Sequence, residues 1–211
     1  MPGDKIIPIG TSRCVRDRLL EAMGDLLARS GFQGASLEAV AAVSGVDRAT
    51  VLRHFKDIDA LVAAFGQSPL YWPSVAELRG DVPDRFAAMP FRAQVSQYFK
   101  ATIRGLLVRP RTLSILAWEL LDRHPLTRLL EVPRMRSSLE FFQDAAGEIS
   151  ESVDLNTLVA VLSGAAIFLA VRSRQSGVCS GLNLYDDADR ERVDHVLDQL
   201  TAGVLRTTQD E

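Results

Sequence analysis

The stretch from Ser36 to Leu61, SLEAVAAVSGVDRATVLRHFKDIDAL, constrains the fold of this chain most strongly. It contains two short segments with helical apolar spacing, joined by a tight turn, and a third segment follows directly. Ser36 can cap the first helix, Gly45 can adopt the backbone of the turn, and Asp47 can cap the second helix. The stretch therefore predicts a helix-turn-helix.

The second helix of this motif has one apolar face and one polar face. Val51 and Phe55 lie four residues apart and are expected to point inward, which leaves Arg48 and its neighbours outward. An arginine fork suits guanine O6 and N7, so Arg48 is the predicted base reader if this helix enters the major groove. The predicted DNA-contacting residues are Arg13, Ser36, Arg48, Ala49, Thr50, Leu52, Arg53, His54 and Lys56. A packing module with capped helices and a glycine turn remains the alternative.

The wider pattern resembles the N-terminal domain of TetR-family transcriptional regulators over about 50 contiguous residues, within the range 13–65. The matching residues before the motif are Leu19, Leu20, Ala22, Leu26, Gly31 and Phe32. Those from the first helix of the motif through its turn are Ser36, Val40, Ala41, Gly45 and Val46, and those in its second helix are Thr50, His54 and Phe55. This resemblance implies a DNA-binding N-terminal domain and a C-terminal helical domain for ligand binding and dimerisation.

Two positions depart from the family pattern. The family usually has an aromatic residue, most often Tyr, where this chain has Leu52, and a Lys where it has Ile58. Both family residues commonly contact phosphate, so the usual phosphate clamp is altered. Arg53 and Lys56 lie close by in sequence and can replace it.

Charge and cysteine content bound the class of protein. The 211 residues carry a net charge of −3, so the chain as a whole has no basic field, and its first 67 residues hold equal numbers of acidic and basic side chains. The arginines Arg13, Arg16 and Arg18 nevertheless fall at a predicted helix start, where phosphate contacts would be needed. Cys14 and Cys179 have no partner spacing for a metal or a disulfide framework, which favours a cytoplasmic protein.

Prolines and glycines divide the chain. Residues 1–12 are predicted to be a disordered arm, residues 13–67 the helix-turn-helix domain, and residues 68–211 a helical domain. Tyr71 and Trp72, in the proline-rich boundary, are predicted to be plugs between the two domains. The fold class is therefore all-α, with helices predicted near 84–89, 91–108, 110–123, 126–148, 155–175 and 187–206. Pro110 and Pro125 are expected at helix starts.

Residues 155–171 are the most apolar segment of the chain, and the last helix that follows them has one apolar face. Residues 155–171 predict a buried helix, and small residues around Gly164 leave room for a second helix to approach. In the resembled family these two helices form a four-helix dimer interface, which implies a homodimer here. The predicted interface residues are Leu162, Gly164, Ala165, Leu169, Val193, Val196, Leu197 and Leu200. The alternative is a helix central to the core of one monomer.

The C-terminal domain also contains the ingredients of a small-molecule pocket. The candidate ligand-binding residues are Tyr98, Trp118, Phe141, Phe142 and Phe168, with Arg104, Glu119 and His124 as polar anchors. Aromatic residues at helical spacing are more often core packing than ligand contacts. The resemblance favours the set as a pocket because regulators of this family bind an inducer.

An enzyme is not expected. Asp186, Asp187 and Asp189 could hold a divalent cation, but acidic residues also favour the start of a helix, and that interpretation fits the amphipathic pattern that follows. No glycine-rich phosphate loop occurs, the three histidines are scattered, and no cofactor is indicated.

Together these patterns predict a dimeric, ligand-responsive transcriptional regulator. We expect a repressor that binds a palindromic operator in double-stranded DNA, is released by a small, largely apolar effector, and has no membrane partner. The alternatives are an all-α protein-interaction module and a metal-dependent helical enzyme that uses the run Asp186, Asp187 and Asp189.

Overall fold

The computed structural model describes residues 9–80, 83–143 and 153–205, and within these ranges the chain is helical and has no β-strand. The helices of this part are α1 (Ile9–Ser30), α2 (Leu37–Ser44), α3 (Arg48–His54), α4 (Ile58–Gly66), α5 (Val75–Arg79), α6 (Pro83–Ala87), α7 (Phe91–Leu107), α8 (Pro110–Leu121), α9 (Pro125–Gln143), α10 (Leu155–Ser176) and α11 (Asp187–Val204). The all-α prediction is confirmed. Residues 1–8 of the predicted arm lie outside the described residues, and residues 9–12, also assigned to the arm, are helical.

Helix α1 is the central helix of the N-terminal part and packs against α2, α4 and α8. Its buried side chains, among them Leu19, Met23 and Leu27, belong to an apolar cluster that also includes Leu113 and Ile115 of α8. Because one buried cluster contains residues of both α1 and α8, the helix-turn-helix part and the helices that follow it share a core.

The proline-rich boundary is a packed segment rather than an open linker. It contains the short helix α5, whose start is fixed by a capping box in which Ser74 and Glu77 bond each other's backbone N–H. Tyr71 is fully buried, its ring centre lies 5.5 Å from that of Phe65 in α4, and its carbonyl oxygen accepts a hydrogen bond from Thr112 of α8. The prediction that Tyr71 and Trp72 are buried at this junction is confirmed.

Three polar side chains that are largely shielded from solvent interact at the same junction. Arg134 of α9 forms an ion pair with Glu119 of α8 at 2.8 Å and donates a hydrogen bond to the hydroxyl oxygen of Tyr71. Burial raises the pKa of the Tyr71 hydroxyl, so this group is neutral at physiological pH. The three side chains therefore tie the boundary segment to α8 and α9.

Helix α7 is the central helix of the C-terminal part, and α5, α10 and α11 pack against it. A second apolar cluster forms around its residues Val95, Phe99 and Ile103. The prediction that 155–171 is a buried helix is wrong: α10 lies on the outside of the molecule, and only 22% of its most apolar 18-residue stretch is buried. Its length and mean hydropathy of 1.8 would also suffice for a membrane span.

The helix ends differ from the predictions in small ways. Pro110 and Pro125 are the first residues of α8 and α9, as predicted. Helix α8 ends at Leu121, two residues before the predicted end at 123, and His124 lies just before α9, where its Nδ1 accepts a hydrogen bond from the Leu126 N–H at 3.2 Å. Pro133 lies inside α9, and residues 144–148 of the predicted helix lie outside the described residues.

Candidate nucleic-acid interface

The turn between α2 and α3 is built as the sequence predicts. The Ser36 side chain accepts a hydrogen bond from the Ala39 N–H, and the Asp47 side chain accepts one from the Thr50 N–H, so both helix starts are capped. Gly45 ends α2 with φ 65° and ψ 23°, a left-handed conformation that strains other residues. The two caps and the Gly45 conformation together fix the angle at which α3 leaves α2.

Helix α3 presents one side to the core and the other to solvent. Val51 and Phe55 are buried, as predicted from their spacing. The exposed residues are Arg48, Ala49, Leu52 and Arg53, whereas Thr50 and His54 are half-buried. The exposed side therefore offers two guanidinium groups and two apolar side chains, a set suited to base edges and phosphates.

Arg48 has a partner that the sequence analysis missed. Its Nε donates a hydrogen bond to Oε1 of Glu38 in α2 at 2.6 Å, and both side chains are about 60% exposed. This hydrogen bond lowers the pKa of the Glu38 carboxyl. Because only Nε is engaged, the two terminal nitrogens of Arg48 remain available for an acceptor pair such as guanine O6 and N7. The sequence signal was a carboxylate ten residues before Arg48, across the turn.

The other predicted DNA contacts are spread around α3. Arg53 donates to the hydroxyl of Thr50, which in turn donates to the Asp47 carboxylate at 2.7 Å. Lys56 lies 3.5 Å from its neighbour Asp57 and is largely exposed, and Arg13 is exposed on α1. The Ser36 hydroxyl is already engaged in capping α2, so its remaining capacity is as a donor.

The two departures from the family pattern have different environments. Leu52 is 39% exposed on the outer side of α3. Ile58 is half-buried and packs against the first apolar cluster, so it adds to the core at a position where a lysine would face solvent. The neighbouring cations Lys56 and Arg53 are both exposed.

The predicted ligand-binding residues do not form one site. Tyr98, Phe141 and Phe142 pack together in the second apolar cluster, with ring centres 4.9 to 5.1 Å apart. At these separations the rings are in contact, so this part of the prediction describes a filled core. Helical spacing shows which side of each helix is apolar, but not whether the rings meet each other or surround a space.

The other members of that set lie elsewhere. Trp118 packs on Gly31 of α1 and donates a hydrogen bond to the Ala28 carbonyl oxygen at 3.3 Å. Glu119 belongs to the buried group with Arg134 already described. Arg104 forms an ion pair with Asp194 of α11, Phe168 is 51% exposed on α10, and His124 stacks on Phe32. The structure therefore does not bring these residues to a common cavity with the aromatic cluster.

The predicted dimer residues divide into two groups. Leu162 and Leu197 are buried against the chain's own second cluster, and Leu169 and Val193 are half-buried there. These four are therefore not the exposed surface that the prediction required, because their sides of α10 and α11 face α7. Gly164, Ala165, Val196 and Leu200 are exposed, and nothing lies within 4 Å of the position that a Gly164 Cβ would occupy.

We use the name outer apolar surface for one set of exposed apolar residues on α10 and α11. It comprises Val161, Gly164, Ala165 and Phe168 of α10 with Val196, Leu200 and Val204 of α11. Val161 is 63% exposed and Phe168 51%. The predicted interface did not include Val161 and Val204, and Phe168 was assigned to the ligand pocket, although all three share helical spacing with predicted interface residues. Large exposed apolar surfaces of this kind typically mark sites of association.

The acidic run is the start of α11. Asp186 caps the helix by accepting hydrogen bonds from the Ala188 and Asp189 N–H groups. Asp187 pairs with Arg190, and Asp189 accepts a hydrogen bond from the Asn183 N–H at 2.8 Å. Each carboxylate thus has a local structural role, and within the described residues no group of His, Cys, Asp or Glu is arranged to hold a metal ion.

Comparison with known families gives a match in the N-terminal part. Residues 19–65 match the sequence profile of the family described as bacterial regulatory proteins, tetR family. The matched region runs from the first buried leucine of α1 to Phe65 of α4. The comparison with curated proteins gave no significant match.

Solved structures resemble the whole chain in fold. A TetR-family transcription regulator from Marinobacter aquaeolei is 18% identical, with 90% of this chain and 96% of that chain covered and a TM-score of 0.64. The fatty acid degradation regulator FadR from Bacillus halodurans is 14% identical, with coverages of 96% and 99% and a TM-score of 0.65. A TetR-like regulator from Rhodococcus sp. is 17% identical, with coverages of 95% and 100% and a TM-score of 0.62.

Proposed function

We propose, from the premise that residues 19–65 are the DNA-binding domain of a TetR-family transcriptional regulator, that this chain is a dimeric, ligand-responsive repressor in the cytoplasm. It binds a palindromic operator and is released by a small, largely apolar effector. The observation that carries the proposal is the exposed side of α3, where Arg48 and Arg53 flank small apolar residues on a firmly capped helix.

Base reading is assigned to the first turn of α3. The free terminal nitrogens of Arg48 suit guanine, and the methyl of Ala49 suits the methyl group of thymine. Phosphate contacts are assigned to Arg53 of α3, Lys56 of the α3–α4 connection and Arg13 of α1, which are all exposed. The chain's overall charge of −3 gives no general attraction to DNA, so phosphate binding depends on these exposed cations.

Dimerisation is assigned to the outer apolar surface. Two copies of α10 and α11 that pack face to face would bury Val161 and Phe168 and would use the open space at Gly164 for close approach. The two-fold axis of such a dimer places two recognition helices on one side of DNA, roughly 34 Å or a multiple of it apart. The operator is therefore a palindrome.

Effector control requires that the DNA-competent and DNA-incompetent dimers bind the effector with different affinities. The contacts between α1 and α8 provide the mechanical connection, because Trp118 bonds to the end of α1 and Arg111 forms an ion pair with Asp25 at 2.5 Å. A shift of α8 is then transmitted directly to the helix-turn-helix part.

A mobility-shift titration tests this proposal. The DNA is the region upstream of the protein's own coding sequence, with shuffled DNA of the same composition as the control, at about 0.1 M salt, where nonspecific contacts are weakened. We expect specific binding that follows dimer concentration. Equal affinity for the two DNAs, or no binding to either at low salt, would contradict the proposal and favour a protein-interaction role for the helix-turn-helix.

A further inference from the structure

A groove opens where α4, the boundary segment and α9 meet. It has a volume of about 580 Å³, which lies within the range of sites for small molecules. Its apolar walls come from Pro69, Trp72 and Val75 on one side and from Val132 and Pro133 on the other. The groove is distinct from the aromatic cluster around Tyr98, and the sequence analysis did not predict it.

Six polar side chains line this groove, and the hydroxyls of Ser68, Ser74 and Ser137 already donate hydrogen bonds within the chain. Arg136 of α9 lines the groove, is exposed, and makes no hydrogen bond or ion pair in the described part of the chain. The Nε1–H of Trp72 is buried in the wall and has no acceptor within the described residues. Glu140 lines the groove one helical turn beyond Arg136 and repels an anionic group, so the Arg136 end is the part of the groove where an anionic group can bind.

The position of the groove links it to the DNA-binding part. Gly66, the last residue of α4, lines it, and the site of a Gly66 Cβ is only 3.1 Å from Leu130 Cδ2 and Pro133 Cγ of α9. The backbones of α4 and α9 are therefore close beside the groove. A molecule in the groove would contact both helices, and α4 packs directly on α1.

We propose that this groove binds a small organic carboxylate with an apolar ring or chain as its body, and that its occupation is the effector signal. The inference rests on the proposed regulatory function. The carboxylate pairs with Arg136 and the apolar body lies against Trp72, Val132 and Pro133. A charge-assisted hydrogen bond at the rim together with apolar contacts inside is the usual composition of such sites.

A calorimetric titration of the full chain tests the site, with 2-naphthylacetate as the probe and 2-naphthylethanol as its uncharged match. Three variants separate the contributions to binding. Arg136→Gln removes the charge, Ala76→Trp fills the groove from its exposed rim, and Arg128→Gln removes an exposed arginine of α9 that does not line the groove.

We expect the acid to bind the unmodified chain and Arg128→Gln equally, Arg136→Gln about tenfold more weakly, and Ala76→Trp not detectably. The alcohol should bind the unmodified chain and Arg136→Gln with the same low affinity. The proposal is overturned if the acid and the alcohol bind alike, if Arg136→Gln binds the acid normally, or if no heat of binding appears at about 1 mM probe.

Operator affinity, measured with and without the acid, separates this inference from the proposed function. The acid should weaken operator binding by the unmodified chain and by Arg128→Gln, and should have little effect on Ala76→Trp. A chain that binds the acid through Arg136 but binds no operator would retain the site and refute the regulatory function. An operator affinity that stays the same when the acid is bound would refute the effector role of the groove.

Discussion

In the proposed function, sequence-specific reading depends most on Arg48. Its pairing with Glu38 orients the guanidinium before DNA arrives, and the nearby carboxylate disfavours a phosphate at the same place. We expect Arg48→Ala to reduce specific operator binding by about 1–3 kcal/mol, with a much smaller effect on random-sequence DNA. The control is Arg29→Ala, which removes an exposed arginine in the last turn of α1, away from α3 in sequence. An equal loss on both DNAs would make Arg48 a phosphate contact.

Gly31 is a position where any side chain conflicts with the fold. Its φ is 66°, and a Cβ there would lie 3.0 Å from the ring of Trp118. Gly31→Ala should lower the free energy of unfolding by about 2 kcal/mol, because backbone strain and a steric clash act together. Gly34→Ala, three residues later, meets only the Ser30 Cβ at 3.4 Å and should change stability by less than about 0.5 kcal/mol. Urea titration of both variants measures the difference.

Among the elements, the junction of α8, α9 and the boundary segment carries the clearest test of a buried charge. Glu119→Ala leaves the guanidinium of Arg134 without its carboxylate at a site where only 17% of the arginine side chain is exposed. We expect a loss of about 3 kcal/mol in the free energy of unfolding.

The surface pair of Arg192 and Asp189 provides the contrast for that variant. Arg192 is 67% exposed, so Arg192→Ala should cost less than about 1 kcal/mol. If Glu119→Ala is no more destabilised than Arg192→Ala in denaturant, the buried pair contributes no more than a solvent-exposed one, and Tyr71 is not held by it.

Helices with local signals could be predicted from the sequence. Ser36, Gly45 and Asp47 act on residues within four positions, so α2 and α3 follow from the sequence almost residue by residue. Helix α5 was not predicted because its capping box, Ser74 with Glu77, lies in a segment whose prolines and glycines indicate loop. A helix of one turn has too few positions for apolar spacing to be visible.

The orientation of helices and the meeting of rings depend on distant contacts and could not be read from local patterns. Apolar residues occur around the whole of 155–171, so the sequence did not indicate which side faces α7. Leu162, which was assigned to the interface, packs in the chain's own second cluster. Trp118 was assigned to a pocket, whereas Gly31, 87 positions earlier, leaves it space to pack on α1. The candidate DNA surface was predictable, and the candidate effector site was not.

At the scale of the whole molecule, the outer apolar surface predicts the state of assembly. Gly164→Glu combined with Ala165→Glu should yield folded monomers, because two charges would be buried without partners at the proposed interface. Specific operator binding should be lost although Arg48 and Arg53 are unchanged, because a monomer has a single recognition helix and makes only half of the contacts with DNA. Sedimentation velocity and a DNA titration of the same sample measure both effects.

Arg128→Glu on α9 is the matched control for that double variant, because it adds negative charge outside the outer apolar surface. It should remain dimeric. A double variant that also remains dimeric would place the interface elsewhere, and a folded monomer that binds the full operator tightly would refute the two-headed mechanism.

The shared core of α1 and α8 also determines how the protein unfolds. Leu19 and Met23 belong to the same buried cluster as Leu113 and Ile115, so neither part can lose its packing without exposing the other's apolar side chains. We expect a single calorimetric transition in which the helix-turn-helix and α8 melt together. A chain that ends at Gln67 should be less than fully folded by itself. The DNA-reading part is then a cooperative portion of a larger folding unit, and its rigidity depends on the helices that follow it.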